Sequence, residues 1–122
     1  MSFVYKETKF ILFNNNNWES VSKVPDSSWI EKELTQTSQK NILLFSHVAP
    51  DDPDRFNKAQ ISDFKALLNR YGVGYYVNGH NHNYGDSKFG NVTQVTAGSS
   101  SKKVLLEITI GNQGINHAFV NL

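Results

Sequence analysis

Three of the four histidines in this 122-residue chain fall where an extended apolar run gives out. His47 closes Asn41-Ile42-Leu43-Leu44-Phe45-Ser46, and His80 and His82 follow Gly74-Tyr75-Tyr76-Val77-Asn78-Gly79. Imidazoles two residues apart project to the same side of an extended segment, where both can reach one metal or each can reach one of two adjacent ions. Gly79 allows close approach of the backbone before them. With His47 as a third neutral nitrogen donor, the pattern predicts a metal site on His47, His80 and His82. His117 is read as a polar position of a terminal strand. The chain has no cysteine, which excludes thiolate ligands and leaves His, Asp, Glu and Asn to hold any metal.

The neighbouring polar residues admit plainer readings. Asp51, Asp52 and Asp54, interleaved with Pro50 and Pro53, fit turn chemistry better than metal binding. Asn83, Tyr84 and Asp86 stand beside the histidine pair; Asn83 and Asp86 are candidates for contacts behind the ligands or toward substrate, with a solvated loop as the alternative. Asn91-Val92-Thr93 is a glycosylation acceptor pattern, meaningful only for a secreted chain.

The elements that position these residues read as one α/β domain over residues 1–122. Residues 3–5 and 10–13 form a hairpin, followed by the asparagine tract 14–17 and a loop reaching Pro25. Ser28-Trp29-Ile30-Glu31 has the form of a capping box and predicts a helix over 28–37, its apolar face carrying Ile30 and Leu34. Residues 41–46 make an apolar run of strand length without alternation, suited to a parallel strand covered on both faces. Ile61, Phe64, Leu67, Leu68 and Tyr71 recur at helical spacing up to Gly72, and 74–78 give another buried strand. This alternation implies a parallel sheet with right-handed crossovers. Segments 92–96, 104–110 and 115–120 read as antiparallel strands extending the same sheet, giving a single mixed sheet with two helices. Ligand sites in such sheets form beyond the carboxyl ends of strands, where all three histidines lie.

Composition narrows the class. Twelve basic residues against eleven acidic ones, with no block of like charge, leave no electrostatic footprint for nucleic acid or an anionic membrane surface. No apolar run approaches the roughly 18 residues of a membrane span, and the N-terminus lacks a signal-peptide pattern. The expectation is a soluble, untargeted chain whose compartment is unassigned.

Phe45-Ser46-His47-Val48-Ala49-Pro50 and Gly79-His80-Asn81-His82 resemble the last two motifs of calcineurin-like metallophosphoesterases, and Trp29-Ile30-Glu31-Lys32-Glu33-Leu34 resembles the helix start that precedes them in that family. The resemblance covers nearly the whole chain. It implies a fold like one half of an α/β/β/α sandwich. It also implies a parent enzyme that hydrolyses phosphate esters with up to two divalent ions (Mn, Fe or Zn) and a metal-activated water. By resemblance, His47 and His80 serve one ion and His82 the other. The family's Asp-x-His, Gly-Asp-x-x-Asp and Gly-Asn-His motifs have no counterpart here, and three neutral imidazoles cannot balance two divalent cations. This implies that the chain is the C-terminal half of the site, holds one ion or none, and is inactive alone. An uncovered sheet face is then expected, closed by a second copy of the chain or by a missing N-terminal half. Two rival readings remain: a truncated, non-catalytic association module, and a mononuclear zinc enzyme using three histidines.

Overall fold

The computed structural model describes residues 1–16 and 25–122. Strands Ser2–Tyr5 (β1) and Thr8–Leu12 (β2) form the first hairpin, turning on Lys6 and Glu7. Helix Ser27–Thr35 (α1) leads to strand Asn41–Phe45 (β3), and helix Lys58–Arg70 (α2) to strand Tyr75–Asn78 (β4). Gly85–Phe89 (β5) and Val92–Thr96 (β6) follow, then Val104–Gly111 (β7) and Gly114–Asn121 (β8). The first six strands form one sheet in the order β1-β2-β3-β4-β6-β5, and β7 and β8 form a second, two-stranded sheet.

The expected parallel core is present: β2, β3, β4 and β6 all run parallel. Three details differ from the expectation. Residues 92–96 join β4 in parallel, because β5, a strand within the segment read as loop, supplies the antiparallel step. The final hairpin does not extend the sheet but lies against its face. The first helix is capped by Asp26, whose Oδ1 accepts from the Trp29 amide at 3.0 Å, and it ends at Thr35; the Ser28–Glu31 box is not the cap. A true capping box opens α2, with Asn57 and Gln60 each accepting the other's backbone amide at 2.8 Å. Asn17 and the loop to residue 24 lie outside the described residues.

Alternation along the central strands sorts two cores. Ile42, Leu44 and Tyr76 face the helices, packed with Ile30, Leu34, Phe64 and Leu68. Each fully buried aliphatic side chain there stabilises the fold by about 1.5–3 kcal/mol. Leu43, Tyr75 and Val95 point the other way and are covered by Leu106, Ile108, Ile110, Ile115 and Phe119 of the hairpin. The face expected to stand uncovered therefore has its cover within the chain. Period-2 alternation in β7 explains why: Leu106, Ile108 and Ile110 turn inward, while Leu105, Glu107 and Thr109 stay exposed.

Candidate functional site

His47 follows β3 and His80 follows β4, neighbouring parallel strands, so the fold sets both at one end of the sheet. Ser46 N–H donates to Val77 O at 3.1 Å and Gly79 N–H to His47 O at 2.9 Å, so the ladder continues past the strands and fixes the two loops together. The rings meet edge to face with centroids 5.1 Å apart, and His80 Nδ1 lies 3.2 Å from His47 Nε2. One of these nitrogens donates and the other accepts, so only one carries the shared hydrogen.

Backbone strain at this point sits on His80 rather than on the glycine before it. His80 adopts φ +63°, a left-handed conformation uncommon for any residue with a Cβ. A Cβ at Gly79 would meet nothing closer than His47 O at 3.8 Å, ordinary contact distance, so Gly79 is not sterically required. Strain held beside paired imidazoles is characteristic of functional positions.

The loop after His47 is pinned from below. Asn15, buried, accepts from Val48 N–H at 2.9 Å and donates to Val48 O at 2.6 Å, as a neighbouring strand would. Its Nδ2 also lies 3.1 Å from Tyr76 Oη, which hydrogen-bonds Ser46 Oγ. Burial pushes the Tyr76 phenol well above the ordinary tyrosine range, opposed by the Ser46 hydrogen bond and reinforced by the Asp51 charge. In the sequence, Asn15 is one of four successive asparagines, and only its tertiary partner distinguishes it.

His80 and His82 line an open cleft of about 640 Å³, shared with Asp51, Asp52 and Asp54, Asn78 and Gln94. The turn reading of the aspartates holds for Asp52, whose Oδ1 accepts from Asp54 N–H at 2.9 Å while its carbonyl accepts from Arg55 and Phe56. Asn83 N–H donates to Asn81 Oδ1 at 3.2 Å in the turn following the pair. Asp86 stands on β5, where its carboxylate accepts from His117 Nε2 at 2.7 Å, and His117 Nδ1 lies 2.9 Å from Tyr75 Oη. His117 is therefore a bridge between the two sheets, which strand alternation alone did not reveal.

Two nitrogens on one tetrahedral ion stand roughly 3.3 Å apart, close to the His47–His80 separation, so the pair can serve as two ligands of a single ion. Among the described residues, however, no three His, Asp or Glu side chains are grouped to hold a metal. The described residues do not make a dinuclear centre.

The fold resembles part of a phosphoesterase fold. Among solved structures that share it, GAP50, the anchor in the inner membrane complex of Plasmodium, superposes with a TM-score of 0.69 at 17% identity, over 99% of this chain and 48% of that one. Purple acid phosphatase PPD1 from yellow lupin (Lupinus luteus) seeds gives a TM-score of 0.62 at 16% identity, over 80% of this chain and 22% of that one. Such identities establish fold alone, and this chain spans about half the length of the first and under a quarter of the second. No family model matches the sequence, and no curated protein matches it. Among the described residues, no helix is long and apolar enough to cross a membrane.

Proposed function

We propose that this chain is one half of a metal-dependent phosphoesterase and supplies the imidazole side of its metal centre, with His47 and His80 on one ion and His82 toward a second. The observation that carries this reading is the convergence of His80 Nδ1 and His47 Nε2 at 3.2 Å beyond neighbouring parallel strands, in a fold shared with part of a purple acid phosphatase. The carboxylates that would balance two divalent ions would come from a partner half, and the completed centre would supply the Lewis-acid chemistry for hydrolysing a phosphate ester. The 48% coverage of the GAP50 chain supports a missing portion of similar size. The test is reconstitution with a segment carrying the Asp-x-His and Gly-Asn-His motifs, in manganese, zinc or iron: turnover of an aryl phosphate lost in His80→Ala supports the reading, and a stable reconstituted pair without turnover counts against it.

A second reading, a non-catalytic association module, is favoured by one observation: the described residues bring no third ligand to the histidine pair. The likeness to GAP50, an anchor, is consistent with it. Retention of partner binding in a His47→Ala, His80→Ala double variant, with no metal uptake by the unaltered chain, selects this reading.

A further inference from the structure

The two-stranded sheet has an open edge along β7. Leu122 N–H donates to Lys103 O at 2.8 Å, which sets the phase of the antiparallel ladder. Leu105, Glu107 and Thr109 are then the residues bonded to β8, and Leu106, Ile108 and Ile110 turn their N–H and C=O groups the other way. Among the described residues no third strand joins β7, and no loop or turn bond reaches those groups. The strand is eight residues long and has neither proline nor an inward charge, the features that normally blunt an edge.

The surface beside this edge is aromatic. β8 lies over β4 and β5: Ile115 stands against Gly74, His117 meets Tyr75 and Asp86, and the Phe119 ring centroid is 4.9 Å from that of Tyr84. β7 therefore lies on the β3 side, where Leu106, Ile108 and Ile110 share a cluster with Leu43, Phe45 and Phe10. Beyond β3 the main sheet continues through β2 to β1. Phe45, Phe10 and Phe3 stack in a row there, with successive centroids 6.2 and 4.8 Å apart, and Phe3 and Tyr5 at the rim are 45% and 64% exposed. Strands pair at about 4.8 Å and sheets stack at about 10 Å, so a strand added to β7 rests every second side chain on these rings.

A second copy of the chain does not fit by joining the two β7 edges. About a two-fold axis normal to the sheet, the β1–β2 rims of both copies, each projecting about 10 Å past β7, collide. About an axis along the strands, equivalent residues would align in parallel yet face opposite sides, whereas aligned residues of parallel neighbours share a side. We infer that β7 takes up an extended strand of a different polypeptide, apolar at every second residue and seated on Phe3, Phe10 and Phe45. The identity of that polypeptide rests on the proposed function: it is the partner half. Phe45 stands two residues before His47, so a strand seated there ends beside the histidine pair. Strand uptake needs neither metal nor phosphate, so it and the activity fail separately.

The probe is a short synthetic peptide in which threonine alternates with valine between terminal lysines, titrated into the full ¹⁵N-labelled chain. The expected result is saturable shifts of the Leu106, Ile108 and Ile110 amide signals with slowed hydrogen exchange at all three, and no effect from the same peptide with its backbone amides N-methylated. Affinity should fall about 3-fold to 10-fold in Phe3→Ala, at the exposed rim. It should stay unchanged in Val4→Ala, whose side chain lies on the helix side of the same strand, as does that of its pairing partner Lys9, bonded to Glu33 of α1. Absence of saturable shifts at these amides, equal binding of the methylated peptide, or equal losses in the two variants overturn the inference. So does slow exchange at the three amides in the free chain, which means that the edge is already closed.

Discussion

His117 Nε2 lies 2.7 Å from Asp86 Oδ2, and this contact joins the eight-residue strands of the final hairpin to the edge of the main sheet. Tyr75 Oη, 2.9 Å from His117 Nδ1, extends the chain of polar contacts into the second core. His117→Ala should destabilise the fold by about 1–3 kcal/mol, because the Tyr75 hydroxyl loses its partner beneath the hairpin. Urea unfolding measures this, and Asp86→Asn, which keeps an acceptor for Nε2–H, should cost less.

Asn15 replaces a strand neighbour for Val48, so its removal orphans the Val48 amide, while Val48 O keeps the Ser46 and Tyr76 hydroxyls as donors. Asn15→Ala should cost about 1–3 kcal/mol for the amide left unpaired, and should broaden the amide signals of residues 47–49 in NMR spectra. Asn15→Asp should be at least as damaging, since a carboxylate oxygen then faces Val48 O.

The strain at His80 gives a signed expectation. A left-handed residue with a Cβ costs roughly 1–2 kcal/mol, so His80→Gly should be more stable than His80→Ala by about 0.5–1 kcal/mol after glycine's larger unfolded-state entropy is offset. Both variants should lose whatever metal affinity the unaltered chain shows in calorimetric titration. Equal stabilities would show that the φ of +63° carries no strain.

Alkaline pH should unfold the chain through its tyrosines. Burial holds the phenols of Tyr75 and Tyr76 above the ordinary value of 10.0, with the Asp86 charge adding to the first. The folded chain keeps protons that the unfolded chain releases, so this stability is full below about pH 10 and is lost as pH rises from there toward the folded values. Urea midpoints from pH 8 to 11 should fall, and the fall should be shallower in Tyr76→Phe. That variant should start from a lower midpoint, since Ser46 and Asn15 lose a partner.

The parts of this protein legible in the sequence are those governed by local pattern. Helical spacing of Phe64, Leu67 and Leu68 and a stop at Gly72 located α2, while unbroken apolar runs located β3 and β4, because a strand buried on both faces has no polar side to show. The strand-end positions of His47 and His80 followed from the same runs. Residues 85–89 read as loop because Asp86, Ser87 and Lys88 are exposed and polar; pairing with β6, not propensity, makes them a strand. The placement of the hairpin over Leu43 and Tyr75 depended on which surface its apolar stripe could bury, a choice that alternation leaves open. Asn15 and His117 likewise drew their roles from partners 33 and 31 positions away. Sequence alone determined which residues could carry the chemistry; only the tertiary fold decided that two histidines pair, that the third faces an acidic cleft, and that the fourth ties two sheets together, because contacts at long sequence separation have no local pattern to announce them.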